Sequence, residues 1–293
     1  MFTGLFIDSF ILSPYIEQST LLVWDIAAGP SSYFTPNILS ELSYKDIKSR
    51  GLGIRLAHLN RFSDNWAFYI EANYSDTSIK SGKSQDSDYL ADNRQDEFSR
   101  SYADIKDDGN RQQALAIGLK TRWFGARGHY VTMLLGHQQH DVDLTVTNGV
   151  QAIPEEMSGT ELTGLNATYN SDFESWYAGL ATEHVFPWGT IGLSYEHHDL
   201  DFESEADWNL RDDLAHPKSF VHSGDGDGKS LTLGYSYQIN LNWDMYLNYT
   251  KLEYTIKNGY DQTFFADGAS YVTSLNQLKY ESDQFQLGFR YIF

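Results

Sequence analysis

The carboxyl end limits this chain more than any other stretch. From Gln284 onward the sequence reads QFQLGFRYIF, so Phe285, Leu287, Phe289, Tyr291 and Phe293 form one apolar, aromatic row. Gln284, Gln286, Gly288, Arg290 and Ile292 form the other. Side chains with period two belong to a strand with one apolar and one polar face. The pattern recurs. Leu231, Leu233, Tyr235, Tyr237 and Ile239 oppose Ser230, Thr232, Gly234, Ser236 and Gln238; Trp243, Met245, Leu247 and Tyr249 oppose Asp244, Tyr246, Asn248 and Thr250. Trp66, Phe68, Ile70, Ala72 and Tyr74 oppose Ala67, Tyr69, Glu71 and Asn73.

A soluble sandwich alternates in the same way, so other features must separate the two architectures. The polar rows carry Gly, Ser and charged residues (Glu71, Glu183, Arg290), which suits a wet lumen. Trp and Tyr bracket the apolar rows, as an interfacial girdle requires, and aromatics reach 15% of the chain. Connections alternate between short (60–65, 124–128, 186–189, 240–242) and long (25–37, 80–109, 144–162, 200–227, 257–273). Short periplasmic turns and long outer loops mark an outer-membrane barrel, whose closure also leaves no strand edge in lipid. The expected fold is therefore all-β: one closed antiparallel barrel domain of about ten strands over residues 1–293, in a Gram-negative outer membrane. Its loops are expected outside and both ends on the periplasmic side. No apolar stretch approaches the roughly 18 residues that a membrane-spanning helix needs. Met1-Phe2-Thr3 lacks a basic, cleavable leader and reads as a mature chain whose signal peptide has been replaced. Inward Arg55, Glu71, Glu183 and Arg290 are expected to fill the lumen with ion pairs, which argues against a wide pore and leaves a small channel as a third functional class.

Charge narrows function further. With 40 Asp+Glu against 21 Lys+Arg the formal net charge is −19, and no basic cluster offsets it, so nucleic acid is excluded as a partner. There is no cysteine, hence no thiolate site or disulfide. No phosphate loop, dinucleotide fingerprint, His-Glu-x-x-His or Gly-x-Ser-x-Gly occurs, no spacing supports a Ser–His site, and no cofactor is expected.

The run Gln85-Asp86-Ser87-Asp88-Tyr89-Leu90-Ala91-Asp92 follows the strand around Trp66–Tyr74. It resembles the Asp-x-Asp-aromatic-x-x-Asp segment of the omptins, ten-stranded outer-membrane proteases. Tyr130–Leu135 with Gly136-His137-Gln138-Gln139 resembles their fifth strand, Trp176-Tyr177-Ala178-Gly179-Leu180 their sixth, and Gly288–Phe293 their last. The resemblance runs from about residue 65 to the end and implies a site at the barrel mouth. There an Asp pair faces an Asp–His pair, and the water between them attacks a peptide carbonyl without a covalent intermediate. Asp86 and Asp88 take the first pair's positions, and two carboxylates so close share a proton and raise one pKa. The second pair's positions fall on Glu205 and Asp207, with an acid where His belongs. His216, approached by Asp212 or Asp213, is the alternative base. Where omptins carry basic lipopolysaccharide contacts this chain has His140 and Asp141, so lipopolysaccharide is expected as surrounding lipid without those contacts, with divalent cations bridging loop acids to lipid as one substitute. Two functional classes follow: an endopeptidase acting on cationic peptides, and a non-catalytic barrel with a surface-binding or structural role.

Several local motifs carry plainer expectations. Asp199, Asp201, Glu203, Glu205 and Asp207 alternate at period two, as one acidic face of a strand projecting beyond the membrane does. His197 and His198 then point to opposite faces and cannot share a metal. Ser223–Gly228 reads as a flexible return loop, and Asn148-Gly149 and Asn258-Gly259 as turns.

Overall fold

Alternation at this length produces strands of up to 26 residues, more than twice what crossing a bilayer requires. The computed structural model describes residues 9–26, 38–91, 94–106, 109–123 and 128–292. The leader reading at Met1–Thr3, the centre of the first long connection, Asp92, the short turn at 124–127 and Phe293 lie outside these residues. The strands are β1 (Ser9–Ile26), β2 (Ser40–Arg61), β3 (Trp66–Ala91), β4 (Gln95–Lys106), β5 (Gly109–Arg122), β6 (His129–Ile153), β7 (Glu161–Phe186), β8 (Gly189–Asp207), β9 (Phe220–Gln238), β10 (Trp243–Phe264) and β11 (Ser270–Ile292). β4 and β5 pair with the outer and inner stretches of the same two neighbours, β3 and β6, so together they form one interrupted stave. β1 pairs with both β2 and β11, which closes a ring of ten antiparallel staves. Ser9 opposite Ile292 puts the first and last paired residues at the short-turn, periplasmic end.

Short turns close by side-chain capping: Asn240 Oδ1 accepts from the amides of Asn242 and Trp243, both at 3.0 Å, and Ser63 Oγ from that of Trp66 at 3.1 Å. Phe186 stacks on Trp188 at 4.9 Å and Trp243 meets Tyr291 edge-on at 5.0 Å, forming the aromatic rim there. Above the rim Phe285, Leu287 and Phe289 point outward, each at least half exposed, alongside Leu231, Leu233, Met245, Leu247, Met133 and Leu135. Facing inward at this level Arg55 pairs with Glu71, Lys120 Nζ lies 2.5 Å from Glu183, and Arg290 Nε donates to Asp244 at 3.0 Å.

The long connections are built differently from flexible loops. Most of 80–106, 144–153, 200–207, 220–227 and 257–264 continues the staves outward, and the tips that remain are short. Within this extracellular half a single contiguous cluster is buried, including Leu21, Tyr44, Ile79, Ile105, Leu144, Phe173, Leu200, Tyr254, Ile256, Leu278 and Tyr280. Burying such a core stabilises strands that no lipid supports. Ser223–Gly228 is a stretch of β9 and not a loop, because the strand packs against this core with its glycines: a Cβ at Gly228 would lie 2.5 Å from the Tyr254 ring. Asn148-Gly149 and Asn258-Gly259 sit within strands where pairing shifts register, so they are bulges and not turns.

Candidate functional site

The outer mouth is shaped by the ends of β2, β3, β4 and β8. Asp86 and Asp88 lie two residues apart on β3, so both project to one side, and both are half-buried. Across the ladders Asp88 faces Ser40 and Ser99, and Asp86 faces Leu42 and Ser101. Ser40 Oγ reaches Asp86 Oδ1 at 3.5 Å. Burial, reinforced by the negative charge of Asp88, pushes the Asp86 carboxyl up to about 7. The Trp208 indole, the Arg211 guanidinium and Ser40 act against that rise. Asp88 is also raised by burial, which the neighbouring hydroxyls of Ser40 and Ser99 and the nearby Arg211 oppose. The pair therefore holds a proton near neutral pH. Beneath it Tyr44 packs on Tyr169 at 5.4 Å, and Tyr169 shares a hydrogen bond with His222 Nδ1 at 2.7 Å.

The facing side comes from β8 and the segment after it. Leu200, Phe202, Ser204 and Ala206 are the buried row of β8, while Asp199, Asp201, Glu203 and Glu205 are exposed on its outer row. His198 is buried and His197 exposed, on opposite faces. Continuing the inner row brings Trp208 to the mouth, where its indole favours the charged form of Asp86. The segment 208–219 is tied down by Ser219 N to Ala206 O at 2.7 Å, Asn166 N to Asn209 Oδ1 at 2.8 Å and Ala215 N to Phe264 O at 2.9 Å, with Leu214 buried beneath it.

The structure groups some of the expected site residues and separates others. Asp86 and Asp88 stand together. His216 Nδ1 lies 2.6 Å from Asp207 Oδ1, so the acid that pairs with His216 is Asp207 and not Asp212 or Asp213; Asp213 instead takes both arms of Arg211 at 2.8 Å. Glu205 is on the outer wall, paired with Lys218. His140 is buried inside the barrel, bonded to Asn110 Oδ1 at 2.9 Å, while Asp141 stands beside Arg111. Trp208 and Arg211 went unrecognised in the sequence, although the inner row of β8, extended by one residue, ends on Trp208.

The geometry can be set beside known proteins. The fold is similar to that of the outer membrane protease OmpT of Escherichia coli, at 14% identity over 97% of this chain and 96% of that one, with a TM-score of 0.74. The transport unit of the E. coli autotransporter AIDA-I aligns at 9% identity, covering 97% and 90%, with a TM-score of 0.41. A Pseudomonas aeruginosa FadL homologue aligns at 12%, covering 97% and 90%, with 0.34. No curated protein matches the sequence. At these identities the first likeness concerns the barrel alone. The model of one family, described as Protochlamydia outer membrane protein, matches residues 18–293. From residue 18 to its end this outer-membrane barrel carries that family's pattern, and the chain belongs to the Protochlamydia outer membrane protein family.

Proposed function

We propose that the chain acts as a non-catalytic surface barrel that holds basic segments of proteins or peptides at its acidic extracellular end. One observation carries this reading: from the segment that follows β8 it is the Trp208 indole that stands near enough to Asp86 to favour its charged form. An indole N–H donates a hydrogen bond but cannot take a proton from water, so this neighbour of the Asp pair cannot serve as its base. The partner's chemistry follows from charge. Asp141, Asp143, Asp172, Glu174, Asp201, Glu203, Glu205 and Asp225 surround an outer depression of about 610 Å³. On a chain of net charge −19 such a wall draws cations over long range, an attraction that salt weakens.

A second reading, an omptin-like endopeptidase, is favoured by the Asp207–His216 pair, which begins one residue before Trp208. In that reading His216 is the general base, Asp207 orients it, and Asp86 with Asp88 positions the attacking water. Refolded protein mixed with a quenched dibasic peptide, with and without lipopolysaccharide, separates the two. Saturable, salt-sensitive binding with no turnover is expected. Turnover that disappears in both His216→Ala and Asp86→Ala would replace the first reading by the second.

A further inference from the structure

The periplasmic end carries the opposite charge from the rest of the molecule. Below the ion pairs of the lumen lies a basin of about 800 Å³, opening between the short turns. Five of the chain's 21 Lys and Arg line it: Arg55, Arg61, Lys120, Arg122 and Arg290. The register explains why they converge. Arg61 on β2 and Lys120 on β5 both lie directly opposite Ala67 of β3, a buried residue too small to separate them, and Arg122 is the next inward position after Lys120. Glu71, Glu183 and Asp244 neutralise Arg55, Lys120 and Arg290. Among the described residues Arg61 and Arg122 have no carboxylate partner, and Asp64 and Glu183 are the only acids in the basin's lining.

The basin's inner side meets a smaller chamber of amides and hydroxyls that includes Gln138, Asn248 and Gln284. Beyond that chamber the apolar cluster of the extracellular half fills the interior. A cavity of this size is within the range of small-molecule sites, and its walls focus the field of the guanidinium groups that line it. Guanidinium forks match phosphate oxygens in pairs, and the amides and hydroxyls deeper in can bond a hydroxylated body.

We propose that this periplasmic basin binds a small phosphate-bearing solute, with Arg61 and Arg122 as the groups that hold the phosphate. The site is independent of the extracellular mouth. Calorimetric titration of the refolded full chain at low salt with inorganic phosphate, glucose 6-phosphate and glucose tests it. Saturable binding of a phosphate-bearing probe is expected, with none for glucose. The Arg61→Gln/Arg122→Gln variant should weaken that binding at least tenfold, and Arg61→Lys/Arg122→Lys should retain some of it. Among the described residues neither arginine has an ion pair to lose, and heat-modifiable gel migration reports that each variant barrel has closed. Absence of saturable binding by both phosphate probes, binding of glucose, or unchanged affinity in the Gln variant would overturn the proposal. Asp86→Asn, at the far end, should bind as the parent does.

Discussion

β8 carries two opposite patterns along its 19 residues. Near the periplasm its outer row is Leu193 and Tyr195 and its inner row Ser194 and Glu196; past His198 the outer row becomes Asp199, Asp201, Glu203 and Glu205, and the inner row Leu200, Phe202 and Ala206. β6 changes over in the same way, from Met133 and Leu135 outside to Asp141 and Asp143 outside, with Val142, Leu144 and Val146 within. β11 does so between Phe285 and Asp283. The lower half is apolar outside and polar inside because lipid surrounds it; the upper half is built like a soluble barrel because water does. One chain solves two solvation problems with one backbone, and the level at which the rows exchange marks the upper edge of the hydrocarbon.

The largest expected effect tests the dry interior of the upper half. Phe173 is buried against Phe202, Tyr254 and Tyr280, with ring centroids 4.9 to 5.6 Å away. Phe173→Ala should cost about 3–5 kcal/mol of unfolding free energy. Gln286→Ala, inward in the lower half, should stay within about 0.5 kcal/mol, as a substitution facing a wet lumen. Urea unfolding in detergent or lipid reads both. Equal costs would break the distinction between a dry and a wet interior.

The outer surface offers the converse test, with a slightly smaller effect. Leu287 and Val272 are similarly exposed on β11, at 54% and 53%, but Leu287 lies in the apolar band and Val272 above it. Leu287→Arg should cost about 2–4 kcal/mol in a bilayer, the penalty for a cation near the membrane midplane of a barrel. Val272→Arg should change stability by less than about 0.5 kcal/mol. A substantial cost at Val272 would raise the lipid boundary and shorten the water-exposed half.

Much of this division was legible in the residues, though not as a division. Alternation, stave count, short turns and the neighbouring Asp86 and Asp88 depend on local spacing, and local spacing is what a sequence displays. The exchange of rows was harder to read, because an acidic row and an apolar row have the same period whichever one faces inward. The Gly224, Gly226 and Gly228 run resembled a loop because its purpose is set by Tyr254 and Ile256 on the next strand, whose rings and methyls occupy the space that side chains would need. Asn148 resembled a turn residue since it does take a positive φ of 56°, but in a bulge. The pairing of His216 with Asp207 depends on the path of a twelve-residue excursion (208–219), which bonds to the tips of β7 and β10 and has no periodicity to announce it.

The smallest effect concerns the mouth, where Asp86 and Asp88 stand two residues apart on β3. Asp86 titrates near 7 in the folded chain against an ordinary carboxyl near 3.8 when unfolded. The folded state therefore binds the proton more tightly, so stability at the mouth is highest below about pH 4, falls as pH rises toward 7, and levels off above it. Amide hydrogen exchange, expressed as protection factors to remove the intrinsic pH dependence, reads this locally. Protection at residues 84–88 should decline between pH 5 and pH 7.5, while residues 133–135, facing lipid, should show no comparable trend. Asp86→Asn removes the titrating group at nearly constant size, so it should flatten most of the slope without loosening the strand. If the slope survives the substitution, the proton belongs to Asp88 or to the outer acids. Asp172, raised by burial and by Asp141, Glu174 and Glu203, is then the next group to neutralise.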